Sequence, residues 1–509
     1  MPTTELTGQD YLHRILLSRI YDLVRVTPLD SLEKLSERYS QNILLKREDY
    51  QLIHSFKLRG AYCKMLSLDK EQLKRGVIAA SAGNHAQGVA LSAQKLGCKA
   101  VIVMPTTTPD LKVDAVQRLG AEVVLHGENF DDSYAYAIDR ADKDGMNLIP
   151  PYDDPYVISG QGTIAHELIG QCNLIHAIFV PIGGGGLVSG IAVYIKNLIP
   201  KIKVIGVESS GSACMRAALD HGGPVNIGQV SHFADGVAVS KAGDETYRLC
   251  KDYLDDVITC SNDEICAAMK DIFDDTRAIA EPSGALSLAG LKQYAKGCGK
   301  IEGSLIAIMS GANVKFRTLR MVAERCDVGE MTEGILSVEI PETKGSFLNF
   351  YRAIGERHVT EFSYRFSHKD RARVLASIEL TDGLNELREI IGSLKTKGYL
   401  VTDLTQDAIS KDHVRYMVGG HPNLHFDERL YLFEFPSTKD ALERFLETLA
   451  DMYSITLFNF RITDLEFCSV LCGFDVSDKK GKGLSEFIEK LNYPAIDVSS
   501  NAAYQHFLR

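Results

Sequence analysis

The stretch IHSFKLRGA, from Ile53 to Ala61, sets a lysine between an aromatic and a leucine at the head of a predicted helix. Lysine is strongly hydrated and is seldom buried without a partner. Lys57 therefore reads two ways: an ammonium that snorkels to water past apolar neighbours, or an amine held in a pocket to form an imine. Three further loops bear on the choice. SAGNHA from Ser81, GGGGL from Gly183 and SGAN from Ser310 each follow an apolar run and open a predicted helix or turn. Ligands of open α/β sheets bind outside the carboxyl ends of the strands, so three small-residue loops at that edge can line one crevice. For each loop taken singly, a tight strand-to-helix turn is the favoured reading.

The four glycines from Gly183 to Gly186 are the most informative. Such a run costs backbone entropy on folding, so something should need the bare backbone. Amide groups at a helix start make an anion cradle, and a phosphate is its usual occupant. The rival is a dinucleotide fingerprint, with Glu208 at the end of the next strand as the ribose-binding acid. That frame fails: started at Gly184, it finds Ser189 at its last glycine position, and the segment does not open the domain. Glu208 alone is also weak ground for a divalent ion. No metal site is expected.

The elements that must hold these loops follow from the apolar runs. Between about Gly76 and Met309, VIAA at Val77, AVIVM at Ala100, EVVL at Glu122, AIFVPI at Ala177, VIGVE at Val204 and LIAIM at Leu305 alternate with amphipathic stretches. Continuous apolar strands with helical crossovers indicate an α/β fold, a doubly wound parallel sheet covered on both faces. Helices are predicted over Ala86–Leu96, Asp110–Leu119 and Ser133–Ala141. After about Arg325 the strands alternate instead, and an internal repeat emerges. EIPETKGSFL at Glu339 matches EFPSTKDAL at Glu434, and VTEFSYRF at Val359 matches ITLFNFRI at Ile455. YLVTDLT at Tyr399 likewise resembles YPAIDVS at Tyr493. Each unit reads strand, helix, strand, strand, helix, strand, the split βαβ arrangement. The join lies in the turn-rich GGHPNLH at Gly419.

Bulk properties bound the function. At 509 residues the chain is too long for one core. With 45% hydrophobic and 24% charged residues it is ordinary for a folded protein. The net charge of -11 argues against nucleic-acid binding. No apolar run approaches a membrane span, and the first residues lack a signal or transit pattern. The 11 cysteines form no CxxC pair and read as buried apolar groups in a reducing compartment, so a cytoplasmic location is expected.

An imine-forming lysine, a phosphate cradle and a partner for a ring nitrogen are the parts that pyridoxal phosphate requires. With these parts on one chain, SFKLRGA, SAGNHAQG, GGGGL and SGAN together resemble the serine/threonine dehydratases of the tryptophan-synthase-β-like fold (fold type II), over about residues 10 to 325. From Met331 onward the chain resembles the ACT-like regulatory region of biosynthetic threonine deaminases, with RYMVGG at Arg415 and EFP at Glu434. The organisation implied is a catalytic domain over 1–325 and two ACT-like, ferredoxin-like α+β units over 330–420 and 425–509.

The resemblance implies pyridoxal 5'-phosphate as cofactor and β-elimination of L-threonine, or secondarily L-serine, through an aminocrotonate that hydrolyses to 2-oxobutanoate and ammonia. It implies that Lys57 holds the cofactor and serves as the base at Cα, and that Phe56 flanks the ring. Asn84 would bond the phenolic oxygen. Gly183, Gly184, Gly185, Gly186 and Leu187 would present amides to the phosphate, and Ser310 would face the ring nitrogen. Ser81 through Asn84 would grip the substrate carboxylate. Glu281, in AEPSGA, belongs near the ring, although a helix-start acid is its plainer reading. A racemase on the same fold needs a hydroxyl where this chain has Ala82, and a methyl cannot donate a proton. A non-catalytic amino-acid sensor would not need Lys57, Asn84, the glycine loop and Ser310 intact. For the tail the resemblance implies isoleucine as inhibitor, valine opposing it, and a homotetramer. A pair of linked units could instead serve only to glue subunits together. The first unit's turn TKGSF, with Gly345 at a helix start, leaves amides open to a carboxylate, whereas Asp440 replaces that glycine in the second. Arg365 could add a charged donor or be a solvated strand arginine.

Overall fold

Runs such as Val77–Ala80 and Ala100–Met104 have no polar face, so each must be covered on both sides. The computed structural model describes residues 5–329 without a break and, beyond them, 332–341, 346–355, 357, 359–366, 371–412, 414, 428–436, 454–462, 467–476, 484–491 and 493–508. The chain forms two compact units, Met1–Phe316 and Arg317–Arg509. Among the described residues no helix is long and apolar enough to cross a membrane.

In chain order the strands of the first unit are β1 (Leu29–Ser31), β2 (Asn42–Arg47), β3 (Val77–Ala80), β4 (Ala100–Met104), β5 (Glu122–Leu125), β6 (Asn147–Leu148), β7 (Ile175–Pro181), β8 (Lys203–Ser209), β9 (Asp256–Cys260) and β10 (Ser304–Met309). They divide into a six-stranded sheet, β1-β2-β10-β7-β8-β9, and a four-stranded sheet, β5-β4-β3-β6. Every pairing is parallel except β1 with β2. The α/β class therefore stands, with its parallel strands shared between two sheets. β2 pairs with β10 from Ser304↔Asn42 to Met309↔Arg47, so the large sheet takes strands from both ends of the unit while β3 to β6 pair among themselves. Predicted helices extend slightly, to Asn84–Leu96 and Phe130–Asp144, while the third ends early at Gln117.

The two faces of the large sheet are distinct. One packs Ile178, Val180, Val204, Ile306 and Ile308 against Ile164, Leu168, Val188, Ile191 and Ile195 of the crossover helices. The small sheet buries Val77, Ala79, Ile102 and Met104 against Ala86, Val89 and Ala93. Burying each large aliphatic side chain contributes about 1.5–3 kcal/mol, so these layers fix where the strand ends lie.

The second unit carries β11 (Glu333–Pro341), β12 (Val359–Phe366), β13 (Arg371–Glu379), β14 (Leu400–Asp403), β15 (Glu428–Pro436), β16 (Ser454–Ile462), β17 (Phe467–Asp475) and β18 (Ala495–Asp497). Two antiparallel sheets result, β12-β13-β11-β14 and β16-β17-β15-β18. Helices Ser346–Ile354 and Gly383–Thr396 complete the strand–helix–strand–strand–helix–strand order of the first repeat. The matching sheet order, with β11 and β15 both ending on proline, is the internal repeat written in three dimensions. The GGHPNLH join and the TKDAL turn with Asp440 lie outside the described residues.

Candidate active site

Lys57 is the first residue of helix Lys57–Leu66, and its side chain is partly accessible. Its Nζ donates to the carbonyl oxygen of Pro151 at 2.9 Å and lies 5.3 Å from the centre of the Phe56 ring. Burial pushes the amine down from 10.5 to about 8, with Glu281 acting against the shift. The helix beneath it is anchored by charge. Arg59, fully buried, donates from Nε to Glu48 Oε2 at 2.7 Å and from Nη1 to Glu167 Oε1 at 2.6 Å. Lys46 Nζ reaches Glu167 Oε2 at 2.6 Å, so two cations and two carboxylates balance.

The loop after β3 delivers Ser81 and Asn84. Ser81 Oγ accepts from the Gly83 amide at 3.2 Å, which leaves its own O–H to donate. Asn84 opens helix Asn84–Leu96, and its Nδ2 donates to Glu281 Oε1 at 2.7 Å. Glu281 precedes helix Pro282–Lys296 without capping it. Instead its carboxylate also accepts from Ser283 Oγ at 3.2 Å and from the Asn313 amide at 3.1 Å. Burial, and then the charge of Asp235, push the acid up from 4.5 to about 7. His85, beside Asn84, is buried against the Ile149 carbonyl, and burial pushes it down to about 3, so it is neutral.

After β7 the chain runs through Gly183, Gly184, Gly185 and Gly186 into helix Gly186–Leu198, with Leu187 buried. Gly185 has φ of 98°, which side-chain-bearing residues seldom adopt. A Cβ on Gly184 would stand 2.3 Å from the ring of Tyr152. Thr246 Oγ1 donates to the Gly184 carbonyl at 2.6 Å and ties the loop down. The loop after β10 places Ser310, 4% exposed, with its hydroxyl donating to the Ser283 carbonyl at 3.2 Å. The Phe56 amide donates to the Ser310 carbonyl at 3.1 Å, so this loop lies against the one that carries Lys57.

The structure thus brings Lys57, Phe56, Asn84, Glu281 and Ser310 together directly, and the glycine loop through the Pro151–Tyr152 segment. Glu208 is turned away, its oxygens accepting the Met215 and Arg216 amides, each at 2.8 Å. The cradle of bare amides and a lysine whose amine burial has pushed down fit pyridoxal phosphate. Gly345 lies outside the described residues, and the helix it precedes starts at Ser346. Arg365 lies on β12, in register with Arg373 of β13.

Two family descriptions match the chain. "Pyridoxal-phosphate dependent enzyme" fits residues 20–311, and "C-terminal regulatory domain of Threonine dehydratase" fits 324–414 and 422–508. The biosynthetic L-threonine dehydratase of Pasteurella multocida is 52% identical over 503 residues, 99% of this chain and 98% of that one. This chain belongs to the biosynthetic threonine dehydratase family. It is accordingly a pyridoxal-phosphate-dependent enzyme. Among solved structures, processed threonine deaminase isoform 2 of Solanum lycopersicum is 47% identical with a TM-score of 0.63, over 64% of this chain and 91% of that one. Serine racemase of Dictyostelium discoideum is 33% identical with a TM-score of 0.56, over 60% of this chain and 99% of that one.

Reading the sequence alone missed Tyr152, Asn313 and the buried Arg59 cluster in this threonine dehydratase family member. Asn313 stands in the quoted SGAN, three positions past Ser310, and was findable there as a polar group in a small-residue loop. The partners of Arg59 come from segments up to 108 positions away, and no local pattern marks them.

Proposed function

We propose that the chain eliminates water from L-threonine to give 2-oxobutanoate and ammonia, with L-serine as a secondary substrate. The observation that carries this reading is the meeting of Lys57, Asn84 and Glu281 beside the glycine cradle, with burial pushing the amine of Lys57 down to about 8. Pyridoxal phosphate, when bound, supplies an electron sink that makes the Cα proton of an amino acid acidic. Lys57 holds the cofactor and, once released from it, takes that proton. An amine near pKa 8 has a usable neutral fraction at pH 7, whereas one at 10.5 does not. Amides from Gly183 to Leu187 hold the phosphate at a helix start. Phe56 flanks the ring, and Asn84 donates to the ring oxygen.

Ser81, with its O–H unspent, grips the substrate carboxylate together with amides up to Asn84. Ser310 turns its hydroxyl from the Ser283 carbonyl to the ring nitrogen. A hydroxyl cannot stabilise a positive ring nitrogen as a carboxylate would, which favours prompt loss of the β-hydroxyl over transamination. Glu281, near pKa 7, can hold a proton at neutral pH while it orients Asn84. Ala82 offers no proton on the face a racemase would use, so no D-amino acid should form.

In the second unit, the reading is feedback control: isoleucine inhibits and valine opposes it. The primary site uses the Gly345 turn, with Arg365 as a charged donor, and the protein is a cytoplasmic homotetramer. The match to the regulatory family over both repeats supports this. Such effectors act through differential affinity for two states, with a coupling of about 1–3 kcal/mol. The domain limits proposed are 1–325, 330–420 and 425–509. Steady-state release of keto acid from L-threonine, with and without isoleucine and valine, tests the reading. Turnover of threonine that isoleucine depresses supports it; absence of 2-oxobutanoate contradicts it.

A further inference from the structure

Asn313 touches both Asn84 and Glu281, yet the reaction as described gives it no part. Its Nδ2 donates to the Ile53 carbonyl at 2.8 Å and to Asn84 Oδ1 at 2.6 Å. Its backbone amide donates to Glu281 Oε2 at 3.1 Å, while Asn84 Nδ2 donates to Glu281 Oε1 at 2.7 Å. Chemistry dictates the polarity of this chain of bonds. A carbonyl oxygen only accepts, so the Asn313 atom facing Ile53 is its nitrogen. That nitrogen has one N–H left. Asn84 must meet it with oxygen, and so turns its own nitrogen to Glu281. One N–H of Asn84 is spent on Glu281 and the second is unassigned.

We propose that Asn313 is a positioning residue that fixes which end of the Asn84 amide faces the cofactor, so that the second N–H of Asn84 is offered to the ring oxygen. This rests on Asn84 being a cofactor ligand, as proposed above. Without the Asn313 donor, the Asn84 amide loses the partner of its oxygen, and only Glu281 is left to oppose its turning over. Its oxygen would then face the Glu281 carboxylate and the ring oxygen, two contacts between acceptors. The same loop also fixes the approach to Lys57, because the Ala312 amide donates to the His54 carbonyl at 2.9 Å. The orientation of Asn84 and the position of Lys57 are thereby set from one loop.

The test uses the full-length protein with Asn313→Ala, Asn84→Ala and the double variant. Two quantities are read: the dissociation constant of pyridoxal phosphate, and the pH at which the visible band of the bound cofactor shifts. Melting of each cofactor-free variant controls for folding. Asn313→Ala should weaken cofactor binding about tenfold and move the band's transition, as expected when a buried acceptor on Asn84 loses its donor. In the Asn84→Ala background the same change should add less than about twofold, because the residue acts through Asn84. Should Asn313→Ala not fold, Asn313→Leu keeps the approximate shape and removes the N–H donors without adding a charge; it should give the same two effects. Full additivity of the two changes, or an unmoved band in both Asn313 variants, would overturn the proposal. An unmoved band and unchanged affinity in Asn84→Ala would overturn the assignment of Asn84 itself, and the inference with it.

Discussion

Lys57 Nζ lies 2.9 Å from the carbonyl oxygen of Pro151, and the next residue, Tyr152, lies against Gly184. One short segment therefore relates the reactive amine to the phosphate cradle, although they follow different strands, β2 and β7, of the large sheet. The Pro151 carbonyl is neutral, so it solvates Lys57 without adding a charge that would hold it as a cation. That is the condition an amine needs to act as nucleophile and base.

The first prediction is the pH dependence of cofactor capture. The folded amine sits at about 8, below its ordinary 10.5, because burial disfavours the charged form. Protonated amine has no lone pair, so the rate at which cofactor-free protein takes up pyridoxal phosphate should rise with pH through about 8 and level off above. Between 8 and 10.5 the unfolded chain binds more protons than the folded one, so Lys57 makes folding stability rise with pH in that window. A capture rate that continues to climb towards 10.5 would show an unshifted lysine.

Tyr152 gives a cleaner test of the cradle than its glycines do. Gly185→Asp would place a side chain at φ of 98° and is strained whatever the ligand. Tyr152→Ala removes the ring against Gly184 and should loosen the loop, raising the cofactor dissociation constant about tenfold. Tyr152→Phe keeps the ring and loses only a 3.4 Å bond to the Lys241 carbonyl, so it should bind nearly as the wild type does. Titration of cofactor-free protein reads both.

Glu167→Ala leaves Arg59 and Lys46 buried with one carboxylate between them. Breaking a buried pair from one side costs about 3–5 kcal/mol, so unfolding of the first unit should shift strongly to lower denaturant. A loss under about 1 kcal/mol, the value of an exposed pair, would mean that water reaches the cluster.

Gly345→Asp should blunt isoleucine inhibition while activity without effector stays close to that of the wild type. The measurement is the isoleucine concentration giving half inhibition. If it is unchanged, and Asp440→Ala changes it instead, the primary site belongs to the second repeat.

Much of this was legible in the chain because the relevant signals are local. β3, β7 and β10 are continuous apolar runs, and the loops with Asn84, Gly183 and Ser310 follow them directly. The repeat in the second unit was legible from Glu339 and Glu434, whose strands β11 and β15 end on equivalent prolines. The division into two sheets was not, because it depends on β2 joining β10 across more than 250 positions of chain. Nor was Glu281's orientation: a helix-start acid and a site carboxylate look alike until Asn84 and Asn313 are brought to it. Lys46 and Arg59 would be placed on the surface by composition alone, and only their distant carboxylates make burial tolerable.

The most direct test of the central claim is chemical trapping of the lysine. Borohydride reduction of the cofactor-loaded protein, followed by peptide mapping, should place the pyridoxyl group on Lys57, and Lys57→Ala should abolish both the label and the release of 2-oxobutanoate from L-threonine. A label on another lysine, or keto-acid release that survives the substitution, would contradict the account.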